Sequence, residues 1–336
     1  MNRIFLTVLS VSFAMTTAVG AATLDDVRQR GVLLCGVGEE LPGFSMPTAS
    51  DGWSGFHPDY CRAIAAAVLG DGEAVEFVEL SDKERFSALA AGKVDLLARH
   101  TAWTLSRDAS LGLVFAAASY YDGQAFMVGR DLGLVSVKEL SGAPVCVLAG
   151  TVAELDMARF FDANNMVYEP VLLEKPEDVI AGYESGRCST VTADASQLNA
   201  IRLTLSDPGA HVVLPEIISR KPVGPVVRGG DDRWFAVVKW VHFALVNAEE
   251  LGVGSSNIDD LSDSADQDVR GLIGTDGAYG QALGLSEHWA ADAVRAVGNY
   301  GEIYDRHLGQ GSDRGMGRGL NALWRDGGIQ YAPPIR

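Results

Sequence analysis

Gly31-Val-Leu-Leu-Cys-Gly-Val37 is an apolar run that leads into a glycine-rich loop, which predicts a buried β-strand. Helical periodicity follows between residues 61 and 68. The pattern then predicts a strand over Val75 to Leu80, a helix over Asp82 to Ala91 and a strand over Val94 to Ala98. The first half of the chain therefore has the predicted order β-α-β-α-β.

The same order of elements returns about 110 residues later. Ala143-Pro-Val-Cys-Val-Leu148 predicts a strand that is followed by a helix. A strand over Tyr168 to Leu173, a helix over Pro176 to Ser185 and a strand over Cys188 to Thr192 complete the second set. Since strands that alternate with helices form mostly parallel sheets, we predict an α/β protein with two similar lobes, each a sheet flanked by helices.

The chain is expected to pass twice between these lobes. Lobe 1 is predicted to comprise residues 23–124 and 217–336, including a largely helical C-terminal extension, and lobe 2 residues 130–211. The extended segments 125–129 and 212–216 are predicted to form a two-strand hinge. Such a hinge would allow the lobes to close around a ligand.

The N-terminal residues 1–22 have the pattern of a secretory signal peptide. Arg3 precedes the apolar stretch Ile4 to Val19, which ends in small residues. This stretch is shorter than the roughly 20 residues of a membrane-spanning helix, so we expect cleavage near Ala21 or Ala22 rather than an uncleaved anchor. The mature protein is then expected to be soluble in an exported, oxidising compartment.

The composition of the 336 residues, with 47% hydrophobic and 21% charged, is that of a globular protein with room for two domains. There are 44 acidic and 27 basic residues, which gives a net charge of −17. A surface of this sign repels phosphate backbones, so nucleic-acid binding is not expected.

An even number of cysteines in an exported protein predicts disulfides. The four cysteines are Cys35, Cys61, Cys146 and Cys188, and they allow three pairings. We expect pairing within each half, Cys35 with Cys61 and Cys146 with Cys188. No two have Cys-x-x-Cys spacing, so neither a zinc ribbon nor a thioredoxin-like redox site is indicated.

Open parallel sheets bind ligands beyond the carboxyl ends of their strands. In the two predicted sheets, these ends lead into the loops 38–44, 99–107, 150–152 and 193–196. Two such edges that face each other would form a cleft.

These loops contain groups that suit a zwitterion. The guanidinium of Arg107 could pair bidentately with a carboxylate, and Gly150-Thr151-Val152 opens a helix whose N–H groups favour the same anion. Asp194 could accept from an ammonium. The alternatives are that Arg107 is a surface or salt-bridging residue, that Asp194 caps the next helix, and that Phe44 and Trp103 belong to the core.

The common enzyme motifs are absent from the sequence. It contains no His-Glu-x-x-His, Gly-x-Ser-x-Gly or phosphate-binding loop, and Gly36-Val-Gly38 is only a partial dinucleotide fingerprint. The histidines form no close metal-ligand pair, and His100, in a cleft loop, is expected to be a polar contact. We therefore predict no catalytic residue, metal or cofactor.

Five stretches carry a resemblance to a known family. They are Cys-Gly-Val-x-x-x-Leu-Pro-Gly-Phe-Ser at 35–45, Trp-Ser-Gly-Phe-His-Pro-Asp-Tyr-Cys-Arg-Ala at 53–63, Thr-Ala-Trp-Thr-Leu-Ser-Arg-Asp at 101–108, Leu-Pro-Glu-Ile-Ile-Ser at 214–219 and Gly-Leu-Asn-Ala-Leu-Trp at 319–324. With the ending Gly-Gly-Ile-Gln-Tyr-Ala-Pro-Pro-Ile-Arg, the mature chain resembles the periplasmic general L-amino-acid-binding proteins of ABC importers, in solute-binding protein family 3.

The resemblance implies a two-lobed "Venus flytrap" in the periplasm. Such a protein is a monomer that closes on an L-amino acid, performs no chemistry and delivers its ligand to an inner-membrane ABC permease. The match assigns the ligand carboxylate to Arg107, helped by Thr151 and Val152, and the ligand ammonium to Asp194.

The resemblance implies further ligand contacts on the first lobe. Leu41 and Phe44 match positions that pack against the ligand. Residues 101–103 match the loop whose backbone and hydroxyls reach the ligand carboxylate, and Arg99 and His100 before them are also expected ligand contacts. The family commonly has Asn-Thr-Thr-Trp where this chain has His100-Thr101-Ala102-Trp103. One hydroxyl contact is therefore missing at Ala102, and a lower affinity for the carboxylate is expected.

A second departure lies at Gly38-Glu39-Glu40, where small or neutral residues are usual. Two carboxylates near the ligand side chain are expected to disfavour aspartate and glutamate. The alternative function is an exported enzyme on the same fold, similar to the cyclohexadienyl dehydratases, with Glu39, Glu40 or His100 as general acid. A sensor ligand domain is a third class, but no signalling segment follows the second predicted lobe.

Overall fold

The structure is a computed structural model that describes residues 23–38, 40–49 and 52–336. The predicted signal peptide and Glu39 lie outside the described residues. Among the helices that are described, none combines the length and apolar character needed to cross a bilayer.

Strands and helices alternate along much of the chain. The strands are β1 (Leu33–Val37), β2 (Met46–Pro47), β3 (Trp53–Ser54), β4 (Val75–Glu79), β5 (Leu96–Leu97), β6 (Leu113–Phe115), β7 (Tyr120–Asp122), β8 (Gln124–Gly129), β9 (Pro144–Leu148), β10 (Glu169–Leu173), β11 (Thr190–Asp194), β12 (His211–Val213), β13 (Lys221–Val223) and β14 (Val226–Arg228). The α-helices are α1 (Thr23–Arg30), α2 (Phe56–Leu69), α3 (Arg85–Ala90), α4 (Leu105–Ser110), α5 (Val152–Ala163), α6 (Pro176–Glu184), α7 (Ala195–Thr204), α8 (Asp232–Glu250), α9 (Gln267–Ile273), α10 (Tyr279–Leu283), α11 (Trp289–Val297) and α12 (Tyr300–His307).

Two five-stranded sheets organise the two lobes, which confirms the predicted two-lobed α/β fold. The first sheet has the order β4-β1-β5-β14-β6 and the second β10-β9-β11-β8-β12. In each sheet the strands of the repeated β-α-β-α-β unit pair in parallel. Each sheet is nevertheless mixed, because β14 in the first and β8 in the second enter in the opposite direction.

A two-stranded ribbon of β7 and β13 lies where the chain passes between the sheets. The strands are antiparallel, with Lys221 opposite Asp122. Immediately after β7, a Cβ atom on Gly123 would lie 2.3 Å from the carbonyl oxygen of Ser219. The two crossings therefore touch, and only glycine fits at this position.

The predicted hinge segments are not at this crossing. Residues 125–129 lie in β8, which pairs with β11 and β12 inside the second sheet. Residues 212–214 also lie in this sheet, because Val212 and Val213 pair with β8 and the Leu214 amide donates to the Phe126 carbonyl. Both segments look like free extended strands in the sequence, because their pairing partners are far away in the chain.

The first lobe has one large core, with residues from Leu24 to Ile335, and a smaller one between Leu80 and Val226. Helix α2 packs against α8 and α11 and is joined to β1 by the Cys35–Cys61 disulfide. Trp234 of α8 is completely buried, and its indole Nε1 donates a 3.0 Å hydrogen bond to the carbonyl oxygen of Asp95. N-terminal and C-terminal parts of the chain thus share one core.

The second lobe has two smaller cores, whose buried residues all lie between Ala125 and Leu214. The Cys146–Cys188 disulfide lies in one of them. Both disulfides therefore join cysteines within one half of the chain, and the predicted pairing is confirmed.

The C-terminal segment packs on the first lobe through α9 to α12, but after His307 it has only two short 3-10 helices, Gly319–Asn321 and Trp324–Asp326, between turns and extended chain. Asn321 accepts a 2.7 Å hydrogen bond from the Tyr121 amide and donates one of 3.0 Å to the Tyr121 carbonyl. Asn247 donates to the carbonyl of Pro333 at 2.8 Å. The tail therefore fastens the ribbon to the first lobe.

The buried His242 is expected to make the first lobe less stable in acid. Burial lowers the pKa of His242, which lies 3.0 Å from the Tyr60 hydroxyl, to about 4. Because histidine in an unfolded chain has a pKa of about 6.5, the unfolded state binds more protons between these values. The contribution of His242 is therefore complete above pH 6.5 and is lost as the pH falls towards 4.

We expect His242 alone to lower the free energy of unfolding by about 2 kcal/mol at pH 5 relative to neutral pH. Urea unfolding of the wild type and His242→Gln at pH 7.5 and 5.0 measures this, and the variant should lose that much less on acidification. His211→Gln, in the second lobe, is the control. An equal loss in His242→Gln and wild type would contradict the prediction.

Candidate functional site

The loop after β5 is held against the ribbon, which places the first-lobe part of the predicted site beside the crossing. Ala102 forms an isolated antiparallel bridge with Val223 of β13. The amide of Trp103 donates a 2.8 Å hydrogen bond to the carbonyl of Pro222. The loop therefore lies next to Lys221, the first residue of β13.

Arg107 lies in α4, whose first turn is capped by Thr104. Its Nη1 donates a 2.7 Å hydrogen bond to the carbonyl of Ala102, and its guanidinium carbon lies 5.8 Å from the centre of the Phe86 ring. Burial lowers the pKa of Arg107 from its usual value. No carboxylate among the residues that the structure describes pairs with this half-buried cation, so the salt-bridge interpretation is not supported.

The N-terminus of α5 is the predicted second-lobe part of the site. Gly150 has a φ of 69°, which lets the chain turn from β9 into the helix. The Thr151 hydroxyl donates to the Leu148 carbonyl at 2.7 Å and does not cap the helix. Since Val152 is 69% exposed, the first turn of α5 offers N–H groups and the positive end of a helix dipole to an anion.

Asp194 ends β11 and precedes α7. It occupies the N-cap position of that helix, but its side chain makes no capping hydrogen bond, so the helix-cap interpretation is wrong. Its carboxylate instead forms an ion pair with the Lys221 ammonium from β13. Asp194 thus holds an ammonium group where the two lobes meet.

A buried hydrogen-bond network surrounds this ion pair. The Nε2 of His100 lies 2.8 Å from Oδ2 of Asp122, and the Ser196 hydroxyl donates to the same oxygen at 2.6 Å. Burial acts to raise the pKa of Asp122, but the hydrogen bond and charge of His100 and the bond from Ser196 hold it below its usual value. The network joins the first-lobe loop, the ribbon and the second-lobe helix α7.

His100, Asp122 and Asp194 each offer a metal-ligating atom, and these atoms lie within 4.8 Å of one another. The two carboxylates are already engaged, Asp122 by Ser196 and Asp194 by Lys221. Neither carboxylate is therefore without a partner.

Several of the predicted ligand-contact residues are buried in the first lobe. The Phe44 ring is completely buried, 5.1 Å from the His100 ring and 5.0 Å from that of Tyr120, which matches the core interpretation. Arg99 is buried and donates to Asp82 at 2.5 Å, and Thr101 is also buried.

The other first-lobe contact residues differ in exposure. Trp103 stacks on Phe115 at 5.3 Å and belongs with the core, while Leu41 is half-buried. Glu40 is exposed, and Glu39 lies outside the described residues. Fewer of the predicted ligand-contact side chains are therefore exposed at this site than the sequence predicted.

Lys221, Asp122 and Ser196 were not identified from the sequence. Lys221 and Asp122 become neighbours only through the pairing of β13 with β7. Ser196 lies in the predicted loop 193–196, but a serine at the start of a helix gives no specific signal. The only signal in the sequence was that Lys221 and Asp122 are charged residues within short strand patterns.

Two further cavities lie in the molecule, and the second adjoins the network at Asp122. A cavity of about 560 Å³ is lined by Arg30, Asp95 and Arg228 on the first lobe. Another, of about 580 Å³, lies between α7 and the tail, beside Arg202 and Arg314. Neither includes Arg107 or Asp194 in its lining.

Comparisons with known proteins extend over nearly the whole chain. Residues 33–269 match the family described as bacterial extracellular solute-binding proteins, family 3. The general L-amino acid-binding periplasmic protein of Rhizobium johnstonii is 49% identical over 322 residues, 95% of this chain and 94% of that protein. The glutamate/glutamine/aspartate/asparagine-binding protein of Rhodobacter capsulatus is 46% identical over 320 residues, 95% of each.

Similar solved structures are also solute-binding proteins. An ABC transporter periplasmic binding protein from Brucella ovis with glutathione bound is 50% identical, with a TM-score of 0.81. The match covers 94% of this chain and 100% of that one. An ancestral cationic amino acid solute-binding protein, 24% identical with a TM-score of 0.54 over 68% of this chain and 95% of that one, shares the fold.

Proposed function

Because this chain belongs to the bacterial extracellular solute-binding proteins, family 3, we propose that it captures L-α-amino acids between its lobes and delivers them to an inner-membrane ABC permease. It is a solute-binding protein and not an enzyme: the similar proteins are named as binding proteins of ABC transporters. The dehydratase alternative has no support from these relatives.

The observation that carries the proposal is the unpaired guanidinium of Arg107. In a chain of net charge −17, this half-buried cation has no carboxylate partner among the described residues. In the proposed complex the α-carboxylate of an amino acid supplies one, with Ala102, Thr151 and Val152 as further contacts. Arginine suits this role because its planar fork binds both carboxylate oxygens.

The second half of the proposed clamp is the acidic residue Asp194. Its pairing with the Lys221 ammonium supports a role in binding the ligand's α-ammonium, which is the same chemical group. Glutathione, bound by the Brucella ovis protein, also carries an ammonium and a carboxylate on one carbon. A clamp for this pair of groups accounts for ligands with different side chains.

The proposal also covers the cellular location of the protein, its hinge and its two lobes. The protein acts as a monomer in the periplasm after its signal peptide is removed near Ala21 or Ala22. The hinge lies at the crossings around Gly123 and residues 217–220, where the ribbon joins the second sheet. Lobe 1 then includes the ribbon and the tail, and lobe 2 the intervening residues.

Ligand binding is expected to raise the thermal midpoint of unfolding. At about 100 times its Kd, an L-amino acid should add about 2.7 kcal/mol of stability. The protein is first unfolded and refolded with its disulfides intact to remove bound ligand, and is then heated with each of the twenty L-amino acids. D-enantiomers are the controls, because the clamp places the side chain in one direction. Absence of any shift with all twenty would refute the proposed ligand class.

A further inference from the structure

Lys221 occupies the acceptor that the proposed function assigns to the ligand. Its ammonium forms an ion pair with Asp194, and the two side chains are only 28% and 19% exposed. This pair joins β13 of the ribbon to the end of β11 in the second lobe. An internal cation therefore lies at the expected place of the α-ammonium.

The α-ammonium of a bound amino acid would compete with this cation for Asp194. An α-ammonium and a lysine ammonium each carry three N–H donors and one positive charge. Both cannot have the same contacts with one carboxylate, so ligand binding requires the Lys221 ammonium to move from at least some of its contacts with Asp194.

Among the described residues, the carboxylate opposite Lys221 in the ribbon is already engaged. Asp122 lies opposite Lys221 in the ribbon, but its carboxylate is completely buried and already accepts hydrogen bonds from Ser196 and interacts with His100. The lysine stem is anchored on β13, beside the loop that carries Ala102. A displaced ammonium thus stays near the ligand as an uncompensated cation.

We propose that Lys221 is a specificity-determining residue that exchanges with the ligand's α-ammonium on Asp194 and then favours ligands with a second carboxylate. This inference rests on the proposed function of the cleft. It applies to α-amino acids and small γ-glutamyl peptides with an acidic side chain, whose second anion neutralises the displaced lysine. Amino acids with a positively charged side chain are expected to bind more weakly.

The proposal reverses the expectation drawn from Gly38-Glu39-Glu40. Glu40 is exposed, where water and salt screen its charge, while Lys221 is largely buried beside Asp194. A partly buried cation next to the clamp acts more strongly on a ligand side chain than an exposed carboxylate in the loop.

The test measures the affinities of refolded wild type and Lys221→Met for L-glutamine and L-glutamate by calorimetry. These ligands are similar in size and differ in charge. With its internal competitor removed, Lys221→Met is expected to bind glutamine about two- to fivefold more tightly, the size of a weak ion pair. Its preference for glutamate over glutamine should fall by about tenfold.

Two variants and one additive serve as controls. Lys221→Arg keeps the charge and should keep the preference for glutamate, and Lys138→Met removes an exposed second-lobe lysine and should change neither affinity. EDTA in all samples removes any divalent cation from the cluster of His100, Asp122 and Asp194. Thermal unfolding checks that each variant is folded.

The outcomes separate this inference from the proposed function. If the wild type binds no amino acid, the proposed function fails and the inference fails with it. If the wild type binds glutamine but rejects glutamate, or if Lys221→Met changes both affinities by the same factor, only the inference is overturned.

Discussion

Arg107→Ala is expected to weaken the binding of every L-amino acid by about 100-fold or more. Removing one partner of a hydrogen-bonded charge pair in a binding site costs about 2–5 kcal/mol, and each factor of ten in affinity corresponds to about 1.4 kcal/mol. The effect is common to all ligands because Arg107 acts on the carboxylate that they share. Calorimetric titration of the refolded protein measures it.

The controls for this prediction test charge and geometry separately. Arg107→Lys keeps a cation but loses the planar fork, so we expect an affinity between those of wild type and Arg107→Ala. Arg159→Ala removes a largely exposed arginine of α5 and should leave binding unchanged. Wild-type affinity in Arg107→Ala would show that the carboxylate binds elsewhere.

Replacing Cys146 and Cys188 together by alanine is expected to lower the free energy of unfolding of the second lobe by about 4 kcal/mol. The disulfide closes a loop with a sequence separation of 42, and chain-entropy arguments give this value for such a loop. The second lobe has only small cores, so the loss is large relative to its other sources of stability. Urea unfolding of the double variant measures it.

The first-lobe disulfide provides the comparison. Cys35 and Cys61 have a separation of 26, for which the same argument gives about 3.5 kcal/mol. Their double alanine variant should therefore lose slightly less, and it should do so in the transition of the first lobe. Wild-type stability in the Cys146/Cys188 variant would mean that the unfolded second lobe gains little freedom without its disulfide.

Local patterns in the sequence were sufficient for the elements that repeat. The runs at 31–37 and 143–148 predicted the first strands of both sheets, and Cys35 and Cys146 within them formed the expected disulfides. These features depend on residues near one another in the sequence or on a repeated order. The positions of Arg107 and Asp194 at loop edges followed from the same rule about strand ends.

Features that depend on distant pairing were missed. The segment 125–129 has the apolar pattern of any strand, and only its pairing with β11 and β12 shows that it belongs to the second lobe. Lys221 meets Asp194 because β13 pairs with β7, a contact between residues far apart in the chain. Phe44 was assigned to the ligand, although its aromatic neighbours bury it completely.

The unequal division of the chain between the cores has a consequence for biosynthesis. The buried residues of the second lobe come from one continuous stretch, 125–214, whereas the first-lobe core needs both Leu24 and Ile335. During synthesis and export the middle of the polypeptide can complete its packing first, while the N-terminal strands wait for the last residues to emerge. A nascent chain cut short before residue 321 would therefore contain one finished lobe and one that lacks its final pieces.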